Sequence, residues 1–425
     1  MMLGVGPGPT GADAATVAAA WDAGSIGGDD RGALAVLASV QGLGPVTMAA
    51  LFAAIGSPAD VLALAGEPDG RRALVAAMHA PDAGRSLPDA IAAAMVDAAR
   101  RRHDILRGIE GLGLRVVAMA DPEYPARLRA IEIPPPLLFV RGDPRAFASE
   151  RAVAIVGTRR PTETGRRVAS RIAGSVTRAG GLVVSGLAVG IDGAAHAAAV
   201  NEGAPTVAFI GSGHARLFPP VHDRLAEAIV EAGGAIVSEY SPETEPTKGT
   251  FPRRNRLISG SADAVVVVEA GARSGALLTA SWALEQGREC FMVPGPIDAP
   301  ASAGCLGFLR DWPGLARVVS GVPQLLEDLG LAAAAALEPV TPAARRPSSS
   351  VRPIGPEAML ASIRPADRPI ADAVVKGAEI VDEIVAVTGL SVGAVLVGLT
   401  RLETAGVVVA RHGRYALSDR LAAAA

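Results

Sequence analysis

Val153-Ala-Ile-Val-Gly-Thr-Arg159 opens the stretch that decides the fold, and runs of similar character follow at 182–184, 206–210, 235–237, 264–268 and 290–293. Each is short, apolar and rich in β-branched residues, and each is followed by a turn containing glycine or serine. A strand with one face in water alternates apolar and polar residues. These runs do not alternate, so both of their faces must be covered. Ala-rich helical patterns separate most of them. Strands alternating with helices predict an α/β domain, a Rossmann-like doubly wound parallel sheet, over residues 116–325 with its core at 150–320.

On the amino-terminal side, apolar residues return every three to four positions from Ala33 to about Arg107, a helical pattern. Within it Gly42-Leu-Gly44-Pro45 reads as a tight turn, with Pro45 opening a second helix. A helix-hairpin-helix presents such turn amides to DNA phosphate. The segment lacks a basic flank, however, and a plain αα-hairpin is the favoured reading. Residues 31–115 are therefore expected to form a helical (SAM/helix-hairpin-helix-like) domain after a loose terminus at 1–30. A proline-punctuated connector over 121–143 ends in a short strand.

On the carboxyl side, residues 332–365 carry Ala, Pro, Ser and Arg without periodicity, and a flexible linker is expected over 326–365. Residues 366–425 fold again. A helix turns at Gly389, Ser391 caps a second helix running to about Ala405, and a hairpin turns at His412-Gly413. This is a winged-helix pattern. Its acidic side chains outnumber its basic ones by one from Asp367 onward, which favours an accessory or protein-interaction role over DNA reading.

The whole chain has 425 residues and a formal net charge of −3, so any polyanion site must be local. Lys248 and Lys376 are the only lysines, a bias that codon usage explains, yet it makes a lysine inside a basic cluster informative. Two cysteines, Cys290 and Cys305, are too few for a disulfide framework or a zinc site. Three Trp, three Tyr and eight Phe are too few for a surface of many stacked bases. No signal sequence or long apolar span is evident, and a cytoplasmic protein without a membrane contact is expected.

In a parallel sheet ligands bind at the carboxyl ends of the strands. Four loops meet there: the one after Val156, Ser185-Gly-Leu-Ala-Val-Gly190, Ile210-Gly-Ser-Gly-His214, and Glu269-Ala-Gly-Ala-Arg-Ser-Gly275. Glycine and serine at helix starts leave amides free for phosphate. The first loop is not Gly-x-Gly-x-x-Gly, so no dinucleotide fingerprint is present. The sharpest segment is Lys248-Gly-Thr-Phe-Pro-Arg-Arg-Asn-Arg256, with four cations, no acid and one aromatic. Pro252 and Gly249 make it a loop in this reading, and a basic loop at a sheet edge points to a polyanion.

Four motifs in order, Val153-Ala-Ile-Val-Gly-Thr-Arg159, Ser185-Gly-Leu-Ala-Val-Gly-Ile-Asp-Gly-Ala-Ala-His196, Phe251-Pro-Arg-Arg-Asn-Arg256 and Val266-Val-Val-Glu-Ala270 with Ser274-Gly-Ala-Leu-Leu-Thr-Ala280, closely resemble the DprA/Smf family. The resemblance spans about Asp121 to Gly304. It implies a homodimeric protein that binds and protects single-stranded DNA and loads RecA onto it in natural transformation and recombination. By motif match, the DNA-contacting positions it implies are Gly157, Thr158, Arg159, Ser185, Gly186, Lys248, Phe251, Arg253, Asn255, Arg256 and Gly275. The chain departs from the family at Thr164, at Gly304-Cys-Leu and in the third loop, which bears on the dimer and that loop.

An enzyme remains the alternative, a nucleotide-processing hydrolase of the lysine-decarboxylase-like phosphoribohydrolase type. Asp192 and His196 are four apart and share a helix face, as orienter and base would. The Pro-Gly-Gly-x-Gly-Thr-x-x-Glu loop of those hydrolases is missing, and Asp192 as a cap with His196 in the core is the favoured reading. No catalytic residue, metal or cofactor is expected.

Overall fold

The computed structural model describes residues 28–79, 86–331, 363–404, 407–411 and 414–417. The chain divides into two compact units, Met1–Pro339 and Val340–Ala425. Positions 1–27 of the expected loose terminus and 332–362 of the expected linker lie outside the described residues.

Among the described residues the first unit opens with six helices: α1 (Gly28–Ala38), α2 (Pro45–Ile55), α3 (Pro58–Gly66), α4 (Gly70–Ala77), α5 (Asp89–Arg100) and α6 (Arg102–Gly111). Pro45 stands in the first turn of α2, where its missing amide hydrogen costs no helical bond. Ser57 and Asp60 cap α3 reciprocally. The sheet and its helices follow: β1 (Arg115–Ala118), α7 (Ala126–Arg129), β2 (Leu137–Gly142), β3 (Ala152–Val156), α8 (Glu163–Arg178), β4 (Leu182–Ser185), α9 (Ile191–Asn201) and β5 (Thr206–Phe209). Next come α10 (Asp223–Glu231), β6 (Ala235–Ser238), α11 (Thr250–Gly260), β7 (Ala264–Val267), α12 (Ala276–Glu285), β8 (Glu289–Met292), α13 (Ala303–Asp311), β9 (Ala316–Val318) and α14 (Val322–Asp328).

The nine strands form one sheet in the order β1-β2-β6-β5-β4-β3-β7-β8-β9. From β6 to β9 all neighbours are parallel, with β3 central; Ala154 lies opposite both Val184 and Val265. β1 and β2 add an antiparallel edge, so the sheet is mixed and not wholly parallel as expected. An antiparallel neighbour needs no crossover helix packed on the sheet, and the connection from β1 to β2 holds only the one-turn α7. The strands β3 to β7 are buried throughout, which is why their sequences run apolar without alternation. Ile155, Val183 and Val266 pack with Ile172 of α8, Ile191 of α9 and Leu325 of α14 on one face. Ala154, Val184 and Val265 pack with Leu257 of α11 and Ala280 of α12 on the other, in a core continuous with Leu34, Leu51 and Met95 of the amino-terminal helices.

The second unit has its own core around Ile370, Ile384, Val395, Leu399 and Val408. It comprises α15 (Arg368–Val375), α16 (Val381–Thr388), α17 (Val392–Thr404) and an antiparallel ribbon, β10 (Val408–Arg411) with β11 (Arg414–Leu417). Gly389, left-handed at φ 67°, ends α16. The Ser391 hydroxyl accepts from the Ala394 amide, 3.3 Å, at the start of α17. Ala405 and the ribbon's turn residues, His412 and Gly413, lie outside the described residues. Among the described residues no single helix is long and apolar enough to cross a membrane.

Candidate nucleic-acid interface

The strand order reverses at β3, whose neighbours are β4 and β7. Loops leaving β3 and β7 diverge to opposite faces there, and a crevice opens between them. A cleft of about 680 Å³ occupies this point, lined from the β3 loop, the segment before and within α11, and the start of α12.

The first loop is held to the end of β7. The Thr158 amide donates to the Glu269 carbonyl at 2.7 Å. The Glu269 carboxylate, only 8 % exposed, accepts from the Thr162 amide at 3.0 Å and from its hydroxyl at 2.6 Å. Thr162 Oγ1 in turn accepts from the Gly165 amide, capping α8. A side chain at Gly157 would collide with Ile191, and one at Gly190, with φ at 95°, with the Thr158 carbonyl. The first two loops therefore touch through backbone, and only glycine permits it.

Beyond this frame the loop is exposed, and the Arg159 guanidinium lies 5.3 Å from the centre of the Phe251 ring. Phe218, 40 % exposed, tilts against Phe251 with ring centres 5.7 Å apart. Phe251 belongs to a helix. The segment expected as a loop is the first turns of α11, beginning at Thr250. Pro252 falls in the first turn, where amides have no intrahelical acceptor, so it starts the helix instead of breaking it.

That helix sorts its cations. Lys248, just before it, is exposed and lines the cleft, and Arg253 is exposed but outside the lining. Arg254 points inward, 4 % exposed, donating to the carbonyls of Gly186, at 2.5 Å, and of Phe209. Arg256 is bound to Glu239 and donates to the Ile133 carbonyl at 3.1 Å. Asn255 lines the cleft and its side-chain amide reaches the Gly275 carbonyl at 3.3 Å. Gly275 stands at the start of α12, exposed, with φ at −62° and open space where a side chain would go. Neither backbone nor packing demands glycine there.

Thus Gly157, Thr158, Arg159, Lys248, Phe251, Asn255 and Gly275 come together on one cleft. Ser185, Gly186, Arg253 and Arg256 do not line it. Ser185 is fully buried with its hydroxyl donating to the Ile155 carbonyl at 2.6 Å. The Gly186 amide donates to Asp192 at 3.2 Å. Phe218 and Arg254 also line the cleft; sequence reasoning misses Phe218 and takes Arg254 only as one cation of the basic segment. Helical spacing of Arg254 with Leu257 and Ile258 is the signal for its inward face.

Asp192 is not a cap of its own helix, whose cap position is Gly190. Its carboxylate fastens the second loop, accepting also from the Ala188 amide at 3.4 Å. Burial pushes its pKa up, opposed by Arg254 and those amides. Burial likewise pulls Arg254 down to about 10, opposed by Asp192. His196 takes different partners. The Thr206 hydroxyl donates to the Val183 carbonyl at 2.7 Å, so ring Nδ1 must donate to Thr206 Oγ1 at 2.9 Å, leaving Nε2 unpartnered. Burial, then His222 and Arg254, lower its pKa to about 3, and the ring is neutral. Asp192 and His196 form no orienter–base pair. Among the described residues no group of three or more His, Cys, Asp or Glu is placed to hold a metal.

Comparison with known proteins agrees with this architecture. Residues 115–330 match the family model described as DNA recombination-mediator protein A. DNA processing protein DprA of Bacillus subtilis is 36% identical over 225 residues, 53% of this chain and 74% of that one. Protein Smf of Synechocystis sp. is 36% identical over 311 residues, 69% of this chain and 77% of that one. The X-ray structure of DNA processing protein A from Streptococcus pneumoniae superposes with a TM-score of 0.50 at 30% identity, over 63% of this chain and 95% of that one. With its sheet, its cleft and its motifs in this register, the chain belongs to the DprA/Smf family of DNA-processing proteins.

Proposed function

We propose that the cleft grips the backbone of single-stranded DNA, and that the protein protects such strands and loads RecA onto them in recombination and natural transformation. One observation carries the reading: Arg159, against the Phe251 ring, and Lys248, both exposed and without an ion pair among the described residues, line one cleft with the start of α12. A phosphate chain asks for cations and free amides. An unpaired base offers a face to an aromatic ring that a duplex keeps stacked. Gly275, with open space above it, lets the strand approach backbone, Gly157, Thr158 and Asn255 wall the same cleft, and Arg253 serves a neighbouring phosphate outside the lining. Ser185, Gly186 and Arg256 support the floor from behind.

We read the site as binding and not catalytic, without a cofactor; Asp192 is engaged with the second loop and His196 with Thr206. The RecA step, the homodimer and a cytoplasmic location rest on family membership. The second unit, three helices and a ribbon, reads as a winged helix serving as an accessory or protein-binding module. Fluorescence anisotropy with labelled oligo-dT and a matched duplex at two salt concentrations tests the central point. Wild type should prefer the single strand. Arg159→Ala/Lys248→Ala should bind it more weakly, with a salt slope flatter by about 1.4, or about 0.7 for each phosphate that is no longer neutralised. Equal binding by the double variant would refute the assignment.

A further inference from the structure

The cleft does not end the cationic surface. Arg159 and Arg160 line its mouth, and α8 begins three residues later. Arg166, Arg167 and Arg171 all lie on the exposed side of that helix, opposite Gly165, Ala169, Ile172 and Ala173, which face the core. Arg178, two turns further on, is neutralised by Glu202 of the turn after α9. The strip from Arg160 to Arg171 contains one acid, Glu163, and none of its four arginines forms an ion pair among the described residues.

An ordinary solvated helix face mixes signs, as α10 does with Asp223, Arg224, Glu227 and Glu231. The α8 strip opposes the helix that carries it. Arg167 and Arg171, four apart, repel each other. In a chain of net charge −3 this local excess has no structural reason.

We propose that the α8 strip is a second binding surface for the same strand, taking the phosphates of nucleotides that continue out of the cleft past Arg160. The inference rests on the reading of the cleft as a single-strand site. The strip binds purely through phosphate, because it carries no aromatic side chain.

The test uses the full chain, oligo-dT of about 6 and about 20 nucleotides, lengths bracketing known single-strand site sizes, and the variant Arg167→Gln/Arg171→Gln. The variant should bind the short oligonucleotide as wild type does. It should bind the long one about tenfold more weakly, with a salt slope shallower by about 1.4. Its melting temperature should be equal or higher, since two repelling charges are gone. An unchanged slope and affinity for the long oligonucleotide would overturn the strip. Long-strand binding that survives Arg159→Ala/Lys248→Ala but needs Arg167 and Arg171 would instead overturn the reading of the cleft.

Discussion

Arg254 shows how a charge drawn inward serves a site it never needs to leave. Its guanidinium and the Asp192 carboxylate both crowd the Gly186 position, and its bonds tie α11 to the second loop and to the end of β5 at once. Arg254→Met should therefore destabilise the fold by about 3–5 kcal/mol in urea unfolding, because it strands a buried carboxylate and two acceptors. Gly275→Val should behave oppositely. Open space at this position predicts stability within about 1 kcal/mol of wild type and a loss of single-strand affinity of at least about tenfold, read by anisotropy. His196 sets part of the acid limit. Its pKa, lowered to about 3 when folded, lies below the ordinary histidine value of the unfolded chain. Its contribution to stability is thus complete above about pH 6.5 and fades as pH falls toward 3, at up to about 1.4 kcal/mol per pH unit. His196→Gln should show a correspondingly shallower loss between pH 6 and pH 4.

At the scale of elements, α8 depends on its cap. Thr162→Ala removes the bond to Gly165 and reduces two tie points on Glu269 to one, so a loss of at least about 1 kcal/mol is expected on chemical denaturation. Element by element, legibility follows burial. The strands β3 to β8 are readable because both faces are covered and β-branched runs result. β1 and β9 are not, being a four-residue and a three-residue strand at the sheet's two edges, with exposed residues that leave little pattern. α11 is misread because Pro252 and Gly249 look like a loop until the helix start is placed beneath them. In the candidate site, the glycines and cations are legible from the loop motifs and the resemblance they carry. Phe218 is not, because its meeting with Phe251 joins segments more than thirty residues apart. Arg256 illustrates the converse limit: sequence shows a cation, and only the fold shows that Glu239 already holds it.

At the scale of the molecule, the two units have separate apolar cores. A chain ending at Pro339 should therefore melt cooperatively, near the temperature of the corresponding transition in the full chain, and keep its single-strand affinity within about threefold. Calorimetry and anisotropy on the two proteins check this. The strand order has a further consequence, in time. Val153 pairs with Val183 nearby in the chain but also with Ala264, more than a hundred residues later. The partner strand that walls the cleft thus leaves the ribosome long after β3 does, and long-range pairing of this kind is slow to form. A growing chain has its first loop ready early and no cleft to put it in. If the cleft holds a strand as proposed, that capture waits for the finished domain.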